Sequence, residues 1–437
     1  MIVSQAFKGK TYAVLGLARS GLATVETLVA SGARVVAWDS REEARAAVAD
    51  KAELGDPMEI DLAGFDGIVV SPGVPLNKHP IAMRAKIAGV PIIGDIELFA
   101  LARPTLPPHK VVGITGTNGK STTTALIHHI IEQAGFPARM GGNIGLPILG
   151  QEPLEPNLHG VGIYVLELSS YQIDLTHSLD CDVAVLLNIT PDHLDRYNGF
   201  AGYVASKARL FAMQSAEHVA VIATEDEPSR GIAASAPAQL REVKAADIDA
   251  EAQLGWPSLQ GPHNAQNAAV AIAVGRALGI DDATIMAALA SYASLPHRMQ
   301  AVGTHNGVLY VNDSKATNAA STAPALGAWP ARDGKPRIHW ILGGVAKSDN
   351  LDECAPYYGN IAHAYTIGEA GHMFADLLRP HMAVDDSEML SAAVRRAARI
   401  AQPGDVVLLS PACASFDQFR DFEARGDAFA AAVNALE

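Results

Sequence analysis

Cysteine is scarce in this 437-residue chain, which has only three cysteines, Cys181, Cys354 and Cys413. Their irregular spacing excludes a disulfide framework and a cysteine-rich zinc site. We therefore expect reduced thiols in a cytosolic compartment.

Long apolar runs and an excess of basic residues are also absent. No apolar stretch reaches the ~20 residues that a membrane-spanning helix needs, and the first residues lead into a strand without the pattern of a signal peptide. Lysine and arginine number 33 against 47 aspartates and glutamates, which gives a net charge of −14. Nucleic acids and anionic membranes both favour a basic protein surface. We expect a cytoplasmic monomer that binds neither nucleic acid nor a membrane.

The remaining composition is that of a large globular protein, with 49% hydrophobic and 18% charged residues. The length favours roughly three domains of ~150 residues. Apolar strands alternate with amphipathic helices, which is typical of parallel, doubly wound sheets. The predicted α/β domains are an N-terminal Rossmann-like domain over residues 1–104, a central P-loop ATPase-like parallel sheet over 105–297 and a C-terminal Rossmann-like domain over 298–437.

The same pattern predicts individual elements. The predicted strands are Thr11–Leu15, Arg34–Trp38, Gly67–Val70, Gly162–Glu167, Asp182–Asn188, Val308–Asn312, Arg337–Leu342, Ala364–Ile367 and Val406–Leu409. The predicted helices are Ser20–Ser31, Tyr203–Met213, His263–Leu278, Asp282–Tyr292 and Asp417–Leu436. The proline-rich segment Arg103–Lys110 predicts a semi-rigid linker between the first two domains.

The most informative segment is Gly113–Thr122, which reads Gly-Ile-Thr-Gly-Thr-Asn-Gly-Lys-Ser-Thr and lies between an apolar strand and a helix. In such a turn the backbone N–H groups surround phosphate oxygens, and the helix N-terminus adds partial positive charge. Lys120 then reaches the outer phosphates and the Ser121 hydroxyl binds Mg²⁺. Ile114 stands where the strict motif has its first glycine. The segment predicts a nucleoside-triphosphate site.

Two further polar residues follow strands of the same predicted sheet. Glu167 ends one strand, where open α/β sheets bind ligands, and its carboxylate can complete the Mg²⁺ sphere begun by Ser121. His193 lies in the loop after the next strand, flanked by Asp192 and Asp195. A lone loop histidine is usually a surface residue, but its place beside the predicted metal favours a functional role.

Segment Gly16–Gly21 follows the first strand, and Asp39 ends the second, which resembles a dinucleotide fingerprint. Ala18 replaces the middle glycine, which hinders the close approach of a pyrophosphate. Three interpretations remain open: NAD binding, binding of another pyrophosphate-bearing molecule, and a purely structural turn.

Other polar residues have two interpretations each. Asn264 and Asn267 share one helix face, so they either bind a base or ribose edge or cap the helix. Asp313 and Lys315 lie at a strand-to-helix turn, where they either bind ribose and an anion or form an ordinary turn. Taken alone, Lys207 is a solvent-exposed lysine on a helix.

Together these segments resemble the Mur ligase family of peptidoglycan synthesis over essentially the whole chain. The matching segments, in chain order, are Ser71–Gly73, Gly113–Thr122, Gly142–Gly145, Glu167–Ser170, Asp192–His193, His263–Asn267, Pro296–Arg298, Asn312–Asn318 and Ser410–Phe419. The last of them, with Arg425-Gly426, is similar to the branch of the family that adds D-glutamate.

The resemblance implies an ATP-dependent amide ligase that joins D-glutamate to UDP-N-acetylmuramoyl-L-alanine through an acyl phosphate. It implies two Mg²⁺ ions and a lysine, Lys207, carbamylated by CO₂, with Lys120, His193 and Lys207 as catalytic residues. The implied ATP-binding residues are Gly116, Asn118, Gly119, Lys120, Ser121, Thr122, Asn264, Asn267, Arg298, Asp313 and Lys315. The implied UDP-substrate residues are Arg19, Ser20, Asp39, Ser40, Arg41, Ser71, Asn143 and His193. The implied amino-acid pocket is Thr317, Lys347, Ser415 and Phe422, and the implied metal ligands are Ser121, Glu167, His193 and Lys207.

Two rival functions remain open. Another ligase of the same fold, such as folylpolyglutamate synthase or the diaminopimelate-adding enzyme, would use the same central domain; Ser71–Gly73 disfavours the first and Ser410–Phe419 the second. A non-enzymatic nucleotide switch would bind or hydrolyse ATP without any dependence on an amino acid.

Overall fold

The computed structural model describes residues 1–436, and the chain divides into two compact units. The first unit comprises Met1–Lys244 and Ala269–Ala288, and the second comprises Ala245–Ala268 and the chain from Leu289 onward. The predicted α/β fold with several parallel sheets is confirmed. The domain limits at residues 104 and 297 stay predictions, and Glu437, the last residue of the third predicted domain, lies outside the described residues.

The N-terminal sheet has five parallel strands in the order β3-β2-β1-β4-β5. Its strands are β1 (Thr11–Leu15), β2 (Arg34–Trp38), β3 (Glu53–Leu54), β4 (Gly67–Val70) and β5 (Ile92–Ile93), and its helices are α1 (Arg19–Ala30), α2 (Glu42–Ala46), α3 (Ile81–Ala88) and α4 (Asp95–Ala102). The chain winds from β1 towards β3 and then crosses to β4, so the carboxyl ends of β1 and β4 form a topological switch point, where such sheets bind ligands. The Ser71 hydroxyl donates to the Gly16 carbonyl oxygen at 2.9 Å and joins the turns after these two strands.

The central sheet has six parallel strands in the order β11-β10-β9-β6-β8-β7. Its strands are β6 (His109–Thr115), β7 (Ala138–Gly142), β8 (Gly162–Glu167), β9 (Val183–Leu186), β10 (Val219–Ala223) and β11 (Gln239–Val243), and its helices are α5 (Lys120–Gln133), α6 (Ser170–Asp174), α7 (Phe200–Ala212) and α8 (Glu227–Ala233). Because β6 lies between β8 and β9, the loops after these three strands meet at one edge of the sheet. Three helices follow, α9 (Ala250–Gln253), α10 (Pro262–Ala277) and α11 (Asp282–Ser291), and the division between the two units passes through the last two.

The third sheet belongs to the second unit and has the order β12-β13-β18-β14-β16-β17. Its strands are β12 (Gln300–His305), β13 (Val308–Asn312), β14 (Ile338–Gly343), β16 (Ile361–Ile367), β17 (Val384–Glu388) and β18 (Val406–Leu409), beside a short pair of β15 (Val345–Ala346) and β19 (Cys413–Ala414). The helices are α12 (Ala319–Gly327), α13 (Gly371–Leu378), α14 (Leu390–Ile400) and α15 (Phe422–Asn434). Only β12 and β19 pair antiparallel with their neighbours among the described strands of this unit.

Each of the three sheets has at least one inner strand that is buried along its whole length. Every residue of β4, β8 and β18 is buried, including the carboxylate residue Glu167. Helices and loops that cover both faces of a parallel sheet produce such near-continuous apolar strands, which is why most of these strands could be predicted.

Two predicted elements are wrong in part. Segment Arg103–Lys110, predicted as a semi-rigid linker, is instead packed against the central domain. Arg103 starts a 3₁₀-helix and pairs with Asp182 at 3.1 Å, and β6 already begins at His109. The final helix begins at Phe422 and not at Asp417, because the Asp421 side chain accepts the N–H of Ala424 at 2.7 Å and caps it there.

The three cysteines are buried and unpaired. Among residues 1–436, no helix combines the length and apolar character needed to cross a membrane.

Asp95, at the start of α4, is expected to make the stability of the folded protein depend on pH. Its carboxylate accepts the N–H of Ile96 at 3.0 Å and lines, with Ser20 and Ser71, a cavity of about 10 Å³. Burial raises the pKa of Asp95 to about 6. The contribution of the protonated carboxyl to stability is therefore complete below the unfolded pKa of about 4 and is lost as the pH rises through about 6.

We expect the unfolding free energy of Asp95→Asn, relative to that of the unmodified protein, to rise by ~2–3 kcal/mol as the pH increases from 4 to 7. The reason is that the amide does not ionise. Chemical denaturation at several pH values measures this difference. Asp50→Asn, an exposed aspartate of the same domain, is the control. A difference in unfolding free energy that stays constant over this pH range would contradict the prediction.

Candidate active site

The phosphate loop connects β6 to α5 and lies at the carboxyl end of β6, an inner strand of the central sheet. Gly119 caps α5 with φ +85° and Gly116 has φ +153°, both left-handed values that favour glycine. A Cβ on Gly116 would also lie 2.9 Å from Leu187. Lys120 Nζ donates to the carbonyl oxygens of Gly116 (3.0 Å) and Thr117 (2.8 Å), so its ammonium group lies directly over the loop.

The remaining implied residues of this loop are in place. Asn118 donates its backbone N–H to the Asn188 side-chain oxygen at 2.9 Å, which ties the loop to the end of β9. Ser121 is buried in the first turn of α5, and Thr122 is half-buried beside it. The helix N-terminus and the lysine together form a strongly anion-attracting turn.

The surroundings of Glu167, at the carboxyl end of β8, fit a divalent cation. Its Oε1 accepts the Asn143 side-chain N–H at 2.9 Å, while its buried Oε2 has no hydrogen-bond partner in the part of the chain that the structure describes. A buried carboxylate oxygen without a partner is costly, and a hard cation is the ligand that would satisfy it. Among residues 1–436, no three acidic, histidine or cysteine side chains converge on one point. That donor set suits Mg²⁺, which binds few carboxylates and completes its shell with phosphate and water.

Lys207 is buried, with 1% of its surface exposed, and the interpretation of a solvent-exposed lysine is wrong. Its Nζ donates to the Gly116 carbonyl oxygen at 2.8 Å and lies 4.7 Å from the centre of the Tyr203 ring. Burial, and secondarily the charge of Lys120, lower the pKa of Lys207 to about 7. The amine therefore lies beneath the phosphate loop and is readily deprotonated.

His193 lies on the other side of the same aromatic group. Its ring centre is 6.3 Å from that of Tyr203 and 5.0 Å from that of Tyr171, and its Nε2 is 3.5 Å from Asp192. The residue has φ +52°, a left-handed value that is uncommon for residues other than glycine. The structure thus brings His193, Lys207 and the phosphate loop together within the first unit.

The implied uridine residues surround the carboxyl ends of the N-terminal sheet. Although burial opposes it, hydrogen bonds from Arg41 and from the N–H of Leu17 lower the pKa of Asp39 to about 2. Asp39 lines a cavity of about 350 Å³ together with the exposed Ser40 and the apolar Trp38.

Two further residues of this set connect the N-terminal and central sheets. The Arg19 guanidinium donates to the Gly145 carbonyl oxygen, close to the exposed Asn143. Ser20 lies in the next position of α1, beside Ser71. The N-terminal switch point and the Glu167 edge therefore belong to one continuous surface of the first unit.

The second unit contains the other implied nucleotide residues. Asn264 and Asn267 are both buried, and the Asn267 amide donates to the Asn264 side-chain oxygen at 3.1 Å. Asp313 accepts the Ser410 hydroxyl at 2.8 Å, and burial raises its pKa to about 7. Each of these groups is held within its own unit.

Two implied nucleotide residues lie near Asp313. Lys315 is close to it in sequence, and Arg298 is close enough in space for its charge to act on the Asp313 carboxyl. Arg298 is half-buried between His297 and Met299, which have φ +62° and +48°, and its charge counteracts the rise in the Asp313 pKa. Lys315 Nζ lies 4.0 Å over the Phe422 ring.

The four residues of the implied amino-acid pocket lie at the carboxyl edge of the third sheet. Lys347 is exposed, and its Nζ donates to the Thr317 hydroxyl at 3.2 Å. Ser415 is buried just beyond β19, and Phe422 opens α15. Four separate segments at this edge thus carry a lysine, two hydroxyls and a phenylalanine ring.

Sequence reasoning missed two residues of the first-unit site. The Tyr203 hydroxyl lies 3.2 Å from the Thr117 hydroxyl, and its ring lies near both His193 and Lys207. The available signal was spacing, because Tyr203 precedes Lys207 by one helical turn and shares its face. For Thr117 no local signal distinguishes it from the other hydroxyls of the loop.

Comparisons with known proteins agree with this architecture. Three family models match: "Mur ligase MurD-like, N-terminal domain" over residues 10–94, "Mur ligase middle domain" over 114–257 and "Mur ligase, glutamate ligase domain" over 297–413. Among solved structures, the MurF ligase of Thermotoga maritima in complex with ADP aligns with a TM-score of 0.60 at 15% identity, over 99% of this chain and 97% of that one. The MurC of the same organism aligns with a TM-score of 0.56 at 16% identity, over 98% and 99%.

Curated relatives are much more similar in sequence. The UDP-N-acetylmuramoylalanine–D-glutamate ligase of Novosphingobium aromaticivorans is 66% identical over 100% of this chain and 97% of its own length. The protein of the same name from Sphingopyxis alaskensis is 64% identical over the full length of both. The chain belongs to the Mur ligase family.

Proposed function

We propose that this protein is an ATP-dependent ligase that adds D-glutamate to UDP-N-acetylmuramoyl-L-alanine. The observation that carries the proposal is the 66% and 64% identity, over the whole chain, to two proteins named for this reaction. The phosphate loop and the unpartnered Glu167 oxygen support nucleotide and Mg²⁺ binding independently.

The proposed reaction has two steps. An oxygen of the substrate carboxylate attacks the γ-phosphorus of ATP, the bond to the β-phosphate oxygen breaks, and an acyl phosphate and ADP form. The uncharged amine of D-glutamate then attacks the acyl carbon, phosphate leaves with the bonding electrons, and the amine loses a proton. Because several anions must meet, positioning and charge neutralisation supply most of the catalysis.

Lys120 is proposed to bind the transferred phosphate, since its ammonium already lies over the loop. Mg²⁺, when bound, neutralises phosphate charge. We assign two ions to this edge, with Ser121, Glu167, His193 and Lys207 as their protein ligands.

Lys207 is proposed to be a carbamate in the active protein. Its uncharged nitrogen adds to the carbon of CO₂, and the carbamic acid loses a proton to give an anion with two oxygens. The burial that disfavours the ammonium form supports this modification. The carbamate converts a buried cation beneath the loop into an oxygen ligand of the kind that Mg²⁺ prefers.

The remaining assignments follow the family resemblance. The proposed nucleotide residues are Gly116, Asn118, Gly119, Lys120, Ser121 and Thr122 in the first unit and Asn264, Asn267, Arg298, Asp313 and Lys315 in the second. Arg19, Ser20, Asp39, Ser40, Arg41, Ser71, Asn143 and His193 are assigned to the UDP substrate, and Thr317, Lys347, Ser415 and Phe422 to D-glutamate. We further propose a cytoplasmic monomer without a nucleic-acid or membrane partner, which the net charge of −14 supports.

Phosphate release tests the proposed function. Purified protein with ATP and Mg²⁺ is expected to release phosphate only when both UDP-N-acetylmuramoyl-L-alanine and D-glutamate are present. Release without any amino acid would indicate a nucleotide switch, and release that requires diaminopimelate would indicate another ligase of this fold. Either result would overturn the proposal.

A further inference from the structure

Arg425 is a buried cation of the second unit to which the proposed chemistry assigns no role. It lies in the first turn of α15 and is 1% exposed. Its hydrogen bonds within residues 1–436 go to a hydroxyl and to carbonyl oxygens, and none of them goes to a carboxylate. Burial lowers the pKa of Arg425 to about 10, so the guanidinium remains charged at neutral pH. The charge of Asp417 counteracts this fall in the pKa of Arg425, but Asp417 forms no hydrogen bond with it among the described residues. A buried charge without a hydrogen-bonded anion is costly to retain, which points to a use for it.

The contacts of Arg425 join three separate turns. Its Nε donates to the Ser314 hydroxyl at 2.9 Å and its Nη2 to the Ser314 carbonyl oxygen at 2.9 Å. Its Nη1 lies 3.4 Å from the Gly343 carbonyl oxygen, at the end of β14. The Ser314 hydroxyl in turn donates to the Phe422 carbonyl oxygen at 2.8 Å. One side chain thus holds the turn after β13, the turn after β14 and the start of α15.

The next residue of the turn after β14, Gly344, also packs against the same guanidinium. A Cβ on Gly344 would lie 3.2 Å from Arg425 Nη1 and 2.2 Å from the Ala414 carbonyl oxygen. The backbone at Gly344, just before β15, therefore lies close to both Arg425 and β19. Any larger side chain at Gly344 would force these groups apart.

These three segments, together with the end of β19 that packs against Gly344, carry the proposed amino-acid pocket. Thr317 follows Ser314, Lys347 follows Gly343 and Gly344, Ser415 follows β19, and Phe422 is one helical turn before Arg425. The bond from Lys347 to Thr317 shows that the outer ends of two of these turns meet.

We propose that Arg425 is a positioning residue that fixes the amino-acid pocket and makes it selective for an acidic amino acid. It fixes the geometry because its contacts join the turn after β13, the turn after β14 and the start of α15. It adds selectivity because its charge has no carboxylate partner in its hydrogen bonds, and a buried charge acts through a low dielectric. The inference rests on the proposed function, since it names a residue that shapes the same pocket.

Steady-state kinetics with each of the three substrates test the inference. Loss of a hydrogen bond to a charged group is expected to raise KM for D-glutamate about tenfold or more in Arg425→Gln. KM for the UDP substrate should change by less than about twofold, because all residues assigned to it lie in the first unit. KM for ATP should change less than KM for D-glutamate, because most residues assigned to ATP lie away from the turn at Ser314. Arg425→Lys, which keeps the charge but not the paired bonds, should recover part of the loss. Arg399→Gln, at an exposed arginine on α14, is the matched control.

Ser314→Ala provides a second variant if Arg425→Gln does not fold, as judged by circular dichroism. It removes the hydroxyl that links Arg425 to Phe422 and should also raise KM for D-glutamate selectively. Equal changes in all three KM values, or a fall in kcat alone, would overturn the inference and indicate a structural role. If the unmodified protein shows no D-glutamate-dependent phosphate release, the proposed function fails before the variants are compared.

Discussion

Lys120→Met is expected to lower kcat for ligation by at least about a thousandfold. The methionine keeps the length of the side chain but removes the ammonium that lies over the phosphate loop, 2.8 Å from the Thr117 carbonyl oxygen. A positive group that stabilises a transferring phosphoryl group contributes a factor of about 10³ or more. Phosphate release under saturating substrates measures the loss.

Lys110→Met is the matched control for this variant. Lys110 is half-buried like Lys120 but lies at the opposite end of β6, away from the loop. We expect the control to keep nearly full activity. Equal losses in the two variants, or an active Lys120→Met, would contradict the assignment of Lys120 to the transferred phosphate.

Lys207→Ala is expected to lower activity on the order of a hundredfold to a thousandfold, the range found for loss of one charge-stabilising group. Added acetate should restore part of it, because a small carboxylate can enter the space left beneath Gly116 and supply the missing oxygen ligand. Lys207→Arg keeps a cation but cannot form the carbamate. We expect it to be as inactive as the alanine variant.

Two results would separate a carbamate from a plain ammonium at this position. Activity retained in Lys207→Arg, together with no response of Lys207→Ala to acetate, would show that only the positive charge matters and would refute the carbamate. Lys86→Ala, at an exposed lysine of α3, controls for non-specific effects of acetate. Full activity in Lys207→Ala would remove the residue from the mechanism altogether.

Much of the fold could be predicted because its central strands are short, apolar and separated by helices. Thr11–Leu15, Gly67–Val70 and Val406–Leu409 have the predicted limits. Edge strands could not be predicted in the same way. The polar β17 contains two aspartates and a glutamate, and β7 ends in two glycines, so neither has the composition of a buried strand.

The site was predictable where chemistry resides in a local motif and unpredictable where it depends on distant packing. The phosphate loop, Glu167 and His193 could be assigned from short segments next to strands. The burial of Lys207 could not, because its neighbours Gly116 and Tyr203 come from a different loop and from an earlier turn of its own helix. The bond from Arg425 to Ser314 spans more than a hundred residues and has no local signal.

The position of Arg425 in the last helix has a consequence for how the protein becomes active during synthesis. Domains form in order from the N-terminus as a chain is made, so the phosphate loop can adopt its structure long before the ribosome reaches α15. The turns around Ser314 and Gly343 acquire their common anchor only when Arg425 has been translated, with Phe429 and Val433 buried behind it. A nascent or C-terminally shortened chain without α15 would therefore lack the side chain that joins these turns.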